Sequence, residues 1–299
     1  MSGPLLLLTM ISGVYLLAVL EEWSATGRLS LSTPVVRGLA QLSRESLVPR
    51  KPDRLLFELA PALLLLAALL AAAVLPLAPG LMAVDLATGA LFVNAALAYV
   101  MVALVMAGWA PDAAYALIGG WRFLGQLIAY SMLIVMPLTA VAMRAQSLST
   151  TDIVASQAVL WNVLTQPLGF VLFWLAAMAL AFVHPFDLPV ALGELAGGVF
   201  AEYTGVRLAI LRLARLVLVL TLALAIVVFF LGGWLGALLP GWAWTGVKTL
   251  AVAALMLAAG RYVPRLSPDA LLEWAWKLGI PLALVNIVWV GITLLAVSK

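Results

Sequence analysis

The chain has 299 residues, of which 66% are hydrophobic and only 10% charged, and a formal net charge of +3. A soluble domain carries about a quarter charged residues, so this composition excludes one and requires an integral membrane protein, and so small a charge gives no reason to expect a nucleic-acid partner. With no cysteine and a single histidine, His184, the chain cannot by itself hold an iron–sulfur cluster through thiolates, form a disulfide, or build a bis-histidine haem or an ordinary zinc site.

Hydropathy predicts an all-α polytopic protein, a single membrane domain over residues 1–299, with eight spans at about 3–22, 54–76, 87–108, 114–143, 157–182, 207–231, 243–262 and 272–296. Alternation of apolar and polar residues is absent, so strands are not expected. The first apolar stretch, Met1 to Leu20, lacks a basic leader and a small-residue cleavage site and reads as a retained helix. Loop 23–53 follows. In it Val35, Val36, Leu39, Leu42 and Leu47 recur near helical spacing, with Arg37, Arg44 and Glu45 among them. That pattern predicts a short amphipathic helix along the membrane surface, serving either as a lipid anchor or as a docking surface. Leu63 to Leu77 and Leu216 to Leu231 run without a charge. The fourth span is longer than a bilayer needs and is expected to tilt. Pro61, Pro137, Pro167 and Pro281 fall inside spans and predict kinks.

Charges within the spans call for partners. Arg122 lies about 12 Å into the fourth span from its cytoplasmic end, where a guanidinium either pairs with a neighbouring helix or faces water. Glu58 and Lys248 pose the same choice. Glu273 and Lys277 stand four residues apart in the order that favours a local helix pair. Trp121, Gln126, Tyr130 and Met132 are candidates for an amphipathic cavity wall, with plain helix packing as the alternative.

One of two long breaks between the apolar runs, carrying acids and helix breakers, runs from His184-Pro185-Phe186-Asp187-Leu188-Pro189 through Glu194 and Gly197-Gly198 to Glu202-Tyr203-Thr204-Gly205. Two prolines bracket the aspartate, so the backbone leaves one helix and cannot at once begin another. With eight spans, the loops and helix edges on one side hold Arg28, Arg37, Arg44, Arg50, Lys51, Arg207, Arg212, Arg215, Arg261 and Arg265, against Arg144 and Lys299 on the other. The positive-inside rule puts the first set in the cytoplasm and both termini outside. Loops 23–53 and 183–206 then share the cytoplasmic side and are expected to receive a soluble partner there.

The order of these pieces resembles subunit 1 of respiratory complex I and its relatives in membrane-bound hydrogenases, from about residue 36 to 290. The 183–206 stretch resembles a family pattern that reads roughly PFD-P-EAE-EL--G---EYSG. Leu47-Val48-Pro49, Asp53-Arg54-Leu55-Leu56-Phe57 and Leu59-Ala60-Pro61 resemble the start of the family's second helix, and Asp85 the acid before its third. Gly108-Trp109, Tyr115 to Gly119, Arg122, Gln126 and Tyr130 resemble its fourth-helix signature. Asp152-Ile153-Val154, Gln157, Trp161-Asn162, Gln166 to Phe170, Leu231 to Trp234, Leu238-Leu239-Pro240, Trp244, Lys248, Trp276-Lys277 and Pro281-Leu282 continue it.

The resemblance implies a membrane-arm subunit of an oxidoreductase, not catalytic alone, that joins the membrane arm to the redox arm in a cell inner (plasma) membrane. It implies no cofactor bound by this chain by itself, a quinone in a chamber between spans 1, 4, 5 and 6, and iron–sulfur clusters on partner chains. The implied partners are antiporter-like and other membrane-arm chains, lipid, and soluble iron–sulfur and hydrogenase-like subunits. Carried over to this chain, Arg122, Gln126, Tyr130, His184, Asp187, Glu194 and Glu202 are the chamber and proton-path candidates, and Arg37, Arg44, Glu45, Asp53, Arg54, Asp187 and Tyr203 the docking candidates. No metal site and no catalytic residue are expected. The chain departs from the pattern where the family has acids: Ser131, Leu180, Val190 and Leu192 stand there, with Val183 in place of an arginine. The GPNRVGP-like segment of the first loop is also missing. Altered proton coupling is the expectation that follows. The alternatives are a hydrogenase-type or ferredoxin-linked subunit without quinone, a purely structural anchor, and an independent transporter, which the lack of an internal repeat disfavours.

Overall fold

In the computed structural model, residues 2–236 and 239–297 are described; Leu238, Lys299 and the side chain of Arg261, all used above, lie outside them. Among the described residues the chain is helical, with no strand beyond one isolated bridge between Ala78 and Leu81. Seven helices among the described residues are long and apolar enough to cross a membrane.

The first is α1 (Ser2–Thr26), followed by the short α2 (Thr33–Leu42). Next come α3 (Arg54–Ala73), α4 (Gly89–Trp109) and α5 (Ala114–Ala145). Asp53 caps α3 by accepting from the Leu56 amide at 3.3 Å, and its own amide donates to the Ala110 carbonyl at 2.9 Å. One residue thus satisfies an orphan donor of α3 and ties its start to the end of α4. Pro61 and Pro137 lie inside α3 and α5.

The fifth crossing departs from expectation. Residues 157–182 do not form one spanning helix. After α6 (Thr150–Ala155) they give α7 (Asn162–Thr165), then α8 (Pro167–Leu180). Pro167 lacks an amide hydrogen and disfavours a helical residue before it, so it opens a helix and does not kink one. Backbone freed inside a membrane must find partners within the protein. Side chains supply them. Gln157 Oε1 accepts from the Gly232 and Asn162 amides, and Asn162 Nδ2 donates to the Phe229 carbonyl at 2.7 Å. Asn286 Oδ1 accepts from the Gly169 amide at 3.2 Å, and Arg144 donates to the Leu160 carbonyl at 2.9 Å.

After α9 (Leu192–Leu195), α10 (Gly205–Phe230) carries Arg207, Arg212 and Arg215 in its first three turns and no charge from Leu216 onward, and 83% of its most apolar stretch is buried. A helical stretch with no polar face belongs at the centre. It packs against α1, α3, α8 and α11 (Gly241–Tyr262), while α5 packs against α4, α8 and the last helix. The turn that follows α10, from its C-cap Leu231 onward, leaves carbonyls without backbone partners among the described residues, and Lys248 answers them. Its Nζ donates to Leu231, Gly233 and Leu235 oxygens at 2.6, 3.1 and 2.9 Å, and sits 4.2 Å from the Trp161 ring centroid. Lys248 is therefore a helix-end cap, with cation–π support.

The last crossing is continuous but not uniform. α12 (Pro268–Trp274) passes through a wide turn, Ala275–Gly279, into α13 (Ile280–Val297). Pro281 has no amide to return to the preceding turn, and a π turn absorbs that mismatch. Glu273 and Lys277 form the local pair expected of their spacing.

Candidate functional site

Loop 183–206 folds back onto the start of α5. Gly119 makes this possible. A β-carbon there would stand 2.6 Å from the Pro189 carbonyl oxygen and 2.9 Å from the Val199 amide, so only glycine admits the loop so closely. About two helical turns further on, Gln126 Nε2 donates to the Phe186 carbonyl at 2.9 Å and to the Ala179 carbonyl at 2.8 Å. Phe186 and Leu188 turn inward and are buried, while Asp187 between them keeps its carboxylate at the edge.

A chain of alternating charges closes over this contact. Arg122 donates to Glu194 at 2.5 Å. Arg265 makes a two-pronged pair with Asp187, at 2.8 and 2.5 Å, and lies 3.7 Å from Glu194. His184 Nδ1 is 3.5 Å from Asp187, and its Nε2 is 3.1 Å from the Val263 carbonyl. Four of the sequence candidates, Arg122, His184, Asp187 and Glu194, thereby meet through a fifth residue, Arg265, which the sequence marks only as a topology signal. The hint it carries is a basic residue in the short 263–267 loop, on the same expected side as the acids.

The pairing governs protonation. Glu194 is half exposed, yet its hydrogen bond to Arg122, then the charges of Arg122 and Arg265, hold its carboxyl below the usual range. Arg265 is held above its ordinary value chiefly by its hydrogen bonds to Asp187. The sign follows from linkage: with a lowered carboxyl, the contact is present above the ordinary carboxylate pKa and is lost only as pH falls through the lowered value.

The first loop joins the same face. The Leu47 amide donates to Thr204 Oγ1 at 2.7 Å. Gly205, at φ +57°, brings its backbone against Ser46 and the Arg44 carbonyl, a conformation that glycine alone adopts cheaply. Arg37 pairs with Glu22, which anchors α2 to α1. Gln41 is buried beside Arg212, at 3.5 Å, and Arg215 pairs with Glu21 at 2.6 Å. Arg44, Glu45 and Arg54 are exposed, and Asp53 serves as the α3 cap.

Tyr203 corrects one docking expectation. It is only 1% exposed, stacked on Phe57 at 4.4 Å between centroids, and burial raises its phenol above the ordinary value. Arg207 lies over the other ring of that stack, Phe57, and grips Glu58 at 2.9 and 2.5 Å. Glu58 is therefore half of an ion pair between α3 and α10, a pairing the sequence left open. Glu202 joins no ion pair among the described residues. Tyr130 is buried one turn beyond Gln126, its ring 6.0 Å from Phe123, with its hydroxyl unpaired among the described residues. Two clefts lie between α4 and α5 and among α1, α10 and α11, and neither is lined by Arg122, Gln126 or Tyr130. Leu180 and Val183 are packed into the apolar core, and Leu192 is 77% exposed. Among the described residues no three histidine, aspartate or glutamate side chains converge as metal ligands. The arrangement is a fixed pattern of charge that joins two loops to a helix.

A family model described as NADH dehydrogenase matches residues 24–291. The chain is 37% identical over 266 residues to the H subunit of the NADH-quinone oxidoreductase of Geobacillus kaustophilus, covering 88% of this chain and 80% of that one. It is 36% identical over 257 residues to the second such H subunit of Rhodopseudomonas palustris, covering 86% and 81%. Among solved structures, it shares its fold with a chain of the membrane-bound sulfane sulfur reductase, an archaeal respiratory membrane complex, with TM-score 0.85, 23% identity, and coverage of 96% and 97%. The chain belongs to the NADH dehydrogenase family that includes the H subunit of NADH-quinone oxidoreductase, and is a membrane-arm component of a complex-I-like oxidoreductase.

Proposed function

We propose that this subunit anchors the soluble redox module of its complex, in the cell inner membrane, through one cytoplasmic face built from loops 23–53, 183–206 and 263–267. The observation that carries this reading is the joining of the three loops by the Leu47–Thr204 bond and the Arg122–Glu194–Arg265–Asp187 chain. Fixed alternating charges at a surface give a partner register and orientation more than raw affinity. Soluble chains that carry iron–sulfur clusters dock on this face, antiporter-like chains flank the membrane part, and quinone approaches the interior face of loop 183–206 near Gln126 and Tyr130. Both termini lie outside.

The test is purification of the whole complex through a tag on this chain. Asp187→Ala is expected to release soluble chains that the wild type retains, and Glu202→Ala to weaken turnover while the chain stays in the membrane. In sealed membrane vesicles from the same cells, cysteines at Ser30 and Gly193 should label only from the cytoplasmic side and one at Ala83 only from outside. Full retention and turnover in both variants, or labelling of Ser30 and Ala83 from one side, would refute the assignment.

A second reading, a ferredoxin- or hydrogenase-linked complex that uses no quinone and couples protons weakly, draws on Ser131, Leu180, Val190 and Leu192, apolar or neutral where the resemblance implies acids. The chain also shares its fold with a chain of the membrane-bound sulfane sulfur reductase. The purified complex separates the two: reduction of a short-chain quinone sensitive to Gln126→Ala supports the quinone reading, and no quinone reduction beside active transfer from a protein donor supports the other.

A further inference from the structure

Arg37, Arg44, Arg212 and Arg215 gather where α1, α2 and α10 meet, and only two of them have an acid. Arg37 pairs with Glu22, and Arg215 with Glu21 at 2.6 Å. Arg212 and Arg44 join no ion pair among the described residues. Arg212 is exposed, and its one partner is the side-chain oxygen of Gln41 at 3.5 Å, the edge of hydrogen-bonding distance. The charges that bear on it are unbalanced. Arg44 and Arg37 oppose it, and Glu21, the one acid, is already taken by Arg215. A guanidinium carries five N–H donors in a planar fork, so most of those on Arg212 have no acceptor among the described residues. Gln41 adds another free donor. It is only 5% exposed, yet its Nε2 has no hydrogen bond to any described residue.

The surrounding apolar residues say what kind of anion fits. Val35, Val36, Leu39 and Leu42 of α2 are exposed, and so is Leu213 beside Arg212. The charge-free run of α10 begins at Leu216, about one turn past Arg212. Arginines at that level, beside an amphipathic helix with its apolar side uncovered, stand at the depth of lipid headgroups. An acidic soluble chain would leave these leucines and valines in water. A phospholipid covers them with its acyl chains while its phosphate meets the arginines, and the guanidinium fork matches two phosphate oxygens. We infer that this patch binds the phosphate of an anionic phospholipid. Arg212 grips it through its fork, Gln41 donates to it from the side, and Arg44 adds charge. A free phosphate ion shares the headgroup chemistry but leaves the apolar side chains uncovered. The inference goes beyond the docking of soluble chains and does not depend on which of them binds.

Lipid photolabelling of the purified complex in nanodiscs tests it. Phosphatidylglycerol and phosphatidylcholine are each made with the same diazirine next to the glycerol, and the labelled peptides are mapped by mass spectrometry. Phosphatidylglycerol should label residues 35–47 and 206–216 more strongly than phosphatidylcholine, whose choline cation the arginines repel. Arg212→Gln should lower that labelling about five-fold, the effect of one basic residue beside an anionic headgroup, and leave labelling elsewhere on the chain unchanged. Arg212→Lys keeps the charge but not the fork, and should fall between the two. The wild-type comparison of the two lipids stands even where a variant fails to assemble. Equal labelling by both lipids, no labelling of either segment, or an undiminished yield in Arg212→Gln would each overturn the inference. Loss of the phosphatidylglycerol label to excess inorganic phosphate at constant ionic strength would assign the patch to a free anion and overturn the lipid reading.

Discussion

Gly119→Val should lift loop 183–206 off α5 and strip the complex of most of its soluble chains, whereas Gly125→Val, about two turns along the same helix, should leave both in place. The difference is one of available space. At Gly119 the added β-carbon meets two backbone atoms, the Pro189 oxygen and the Val199 nitrogen, neither of which can rotate away. At Gly125 nothing stands within 4 Å. Overpacking at a closed contact costs about 1–3 kcal/mol, and the loop is held mainly by Gln126, Arg122 and Arg265, so a loss of that size is enough to detach it locally. Proteolysis after Glu194 and labelling of a cysteine at Gly193 should accelerate in Gly119→Val and stay at the wild-type rate in Gly125→Val. Even Gly119→Ala should show part of the effect. Equal behaviour of the two valine variants would mean that the loop does not depend on this contact.

The second large effect is expected from Arg265→Ala. This change leaves Asp187 without its two-pronged partner and Glu194 with Arg122 alone. Asp187 is mostly buried, so the stranded carboxylate should cost roughly 2 kcal/mol, in the range for a hydrogen bond to a charged group. Glu194 is half exposed and should add little. Arg265→Ala and Asp187→Ala together should therefore cost much less than the sum of the two, because they remove the same pair. The readout is the temperature at which soluble chains dissociate from the detergent-solubilised complex. Strict additivity would show that Arg265 acts elsewhere than on Asp187.

These two residues mark where reading the chain by itself reaches its limit. Gly119 is legible as part of a Tyr115–Gly119 signature, but not as the seat of the Pro189 carbonyl, because a glycine carries no sign of what approaches it. Arg265 is legible as a basic loop residue, and pairs across 78 positions leave no local pattern. The membrane class, by contrast, follows from composition alone: a stretch such as Leu216 to Phe230 of α10, apolar on all sides, has nowhere to go except the interior of a bundle in a bilayer. Span limits are legible wherever one apolar run makes one helix. They fail at 157–182, where mean hydropathy stays high while Pro167 starts a new helix, since hydropathy averages over many residues and cannot register a missing amide hydrogen. The side chains that compensate, Gln157, Asn162 and Asn286, stand in the sequence as polar interruptions without an evident purpose. Local chemistry thus determined that the chain is a helical membrane protein and that Asp187, Glu194 and Glu202 share one break between its apolar runs. Only tertiary packing decided which charges meet, because ion pairs such as Glu58–Arg207 and Asp187–Arg265 are chosen by the distance between helices in space, on which their separation along the chain has no bearing.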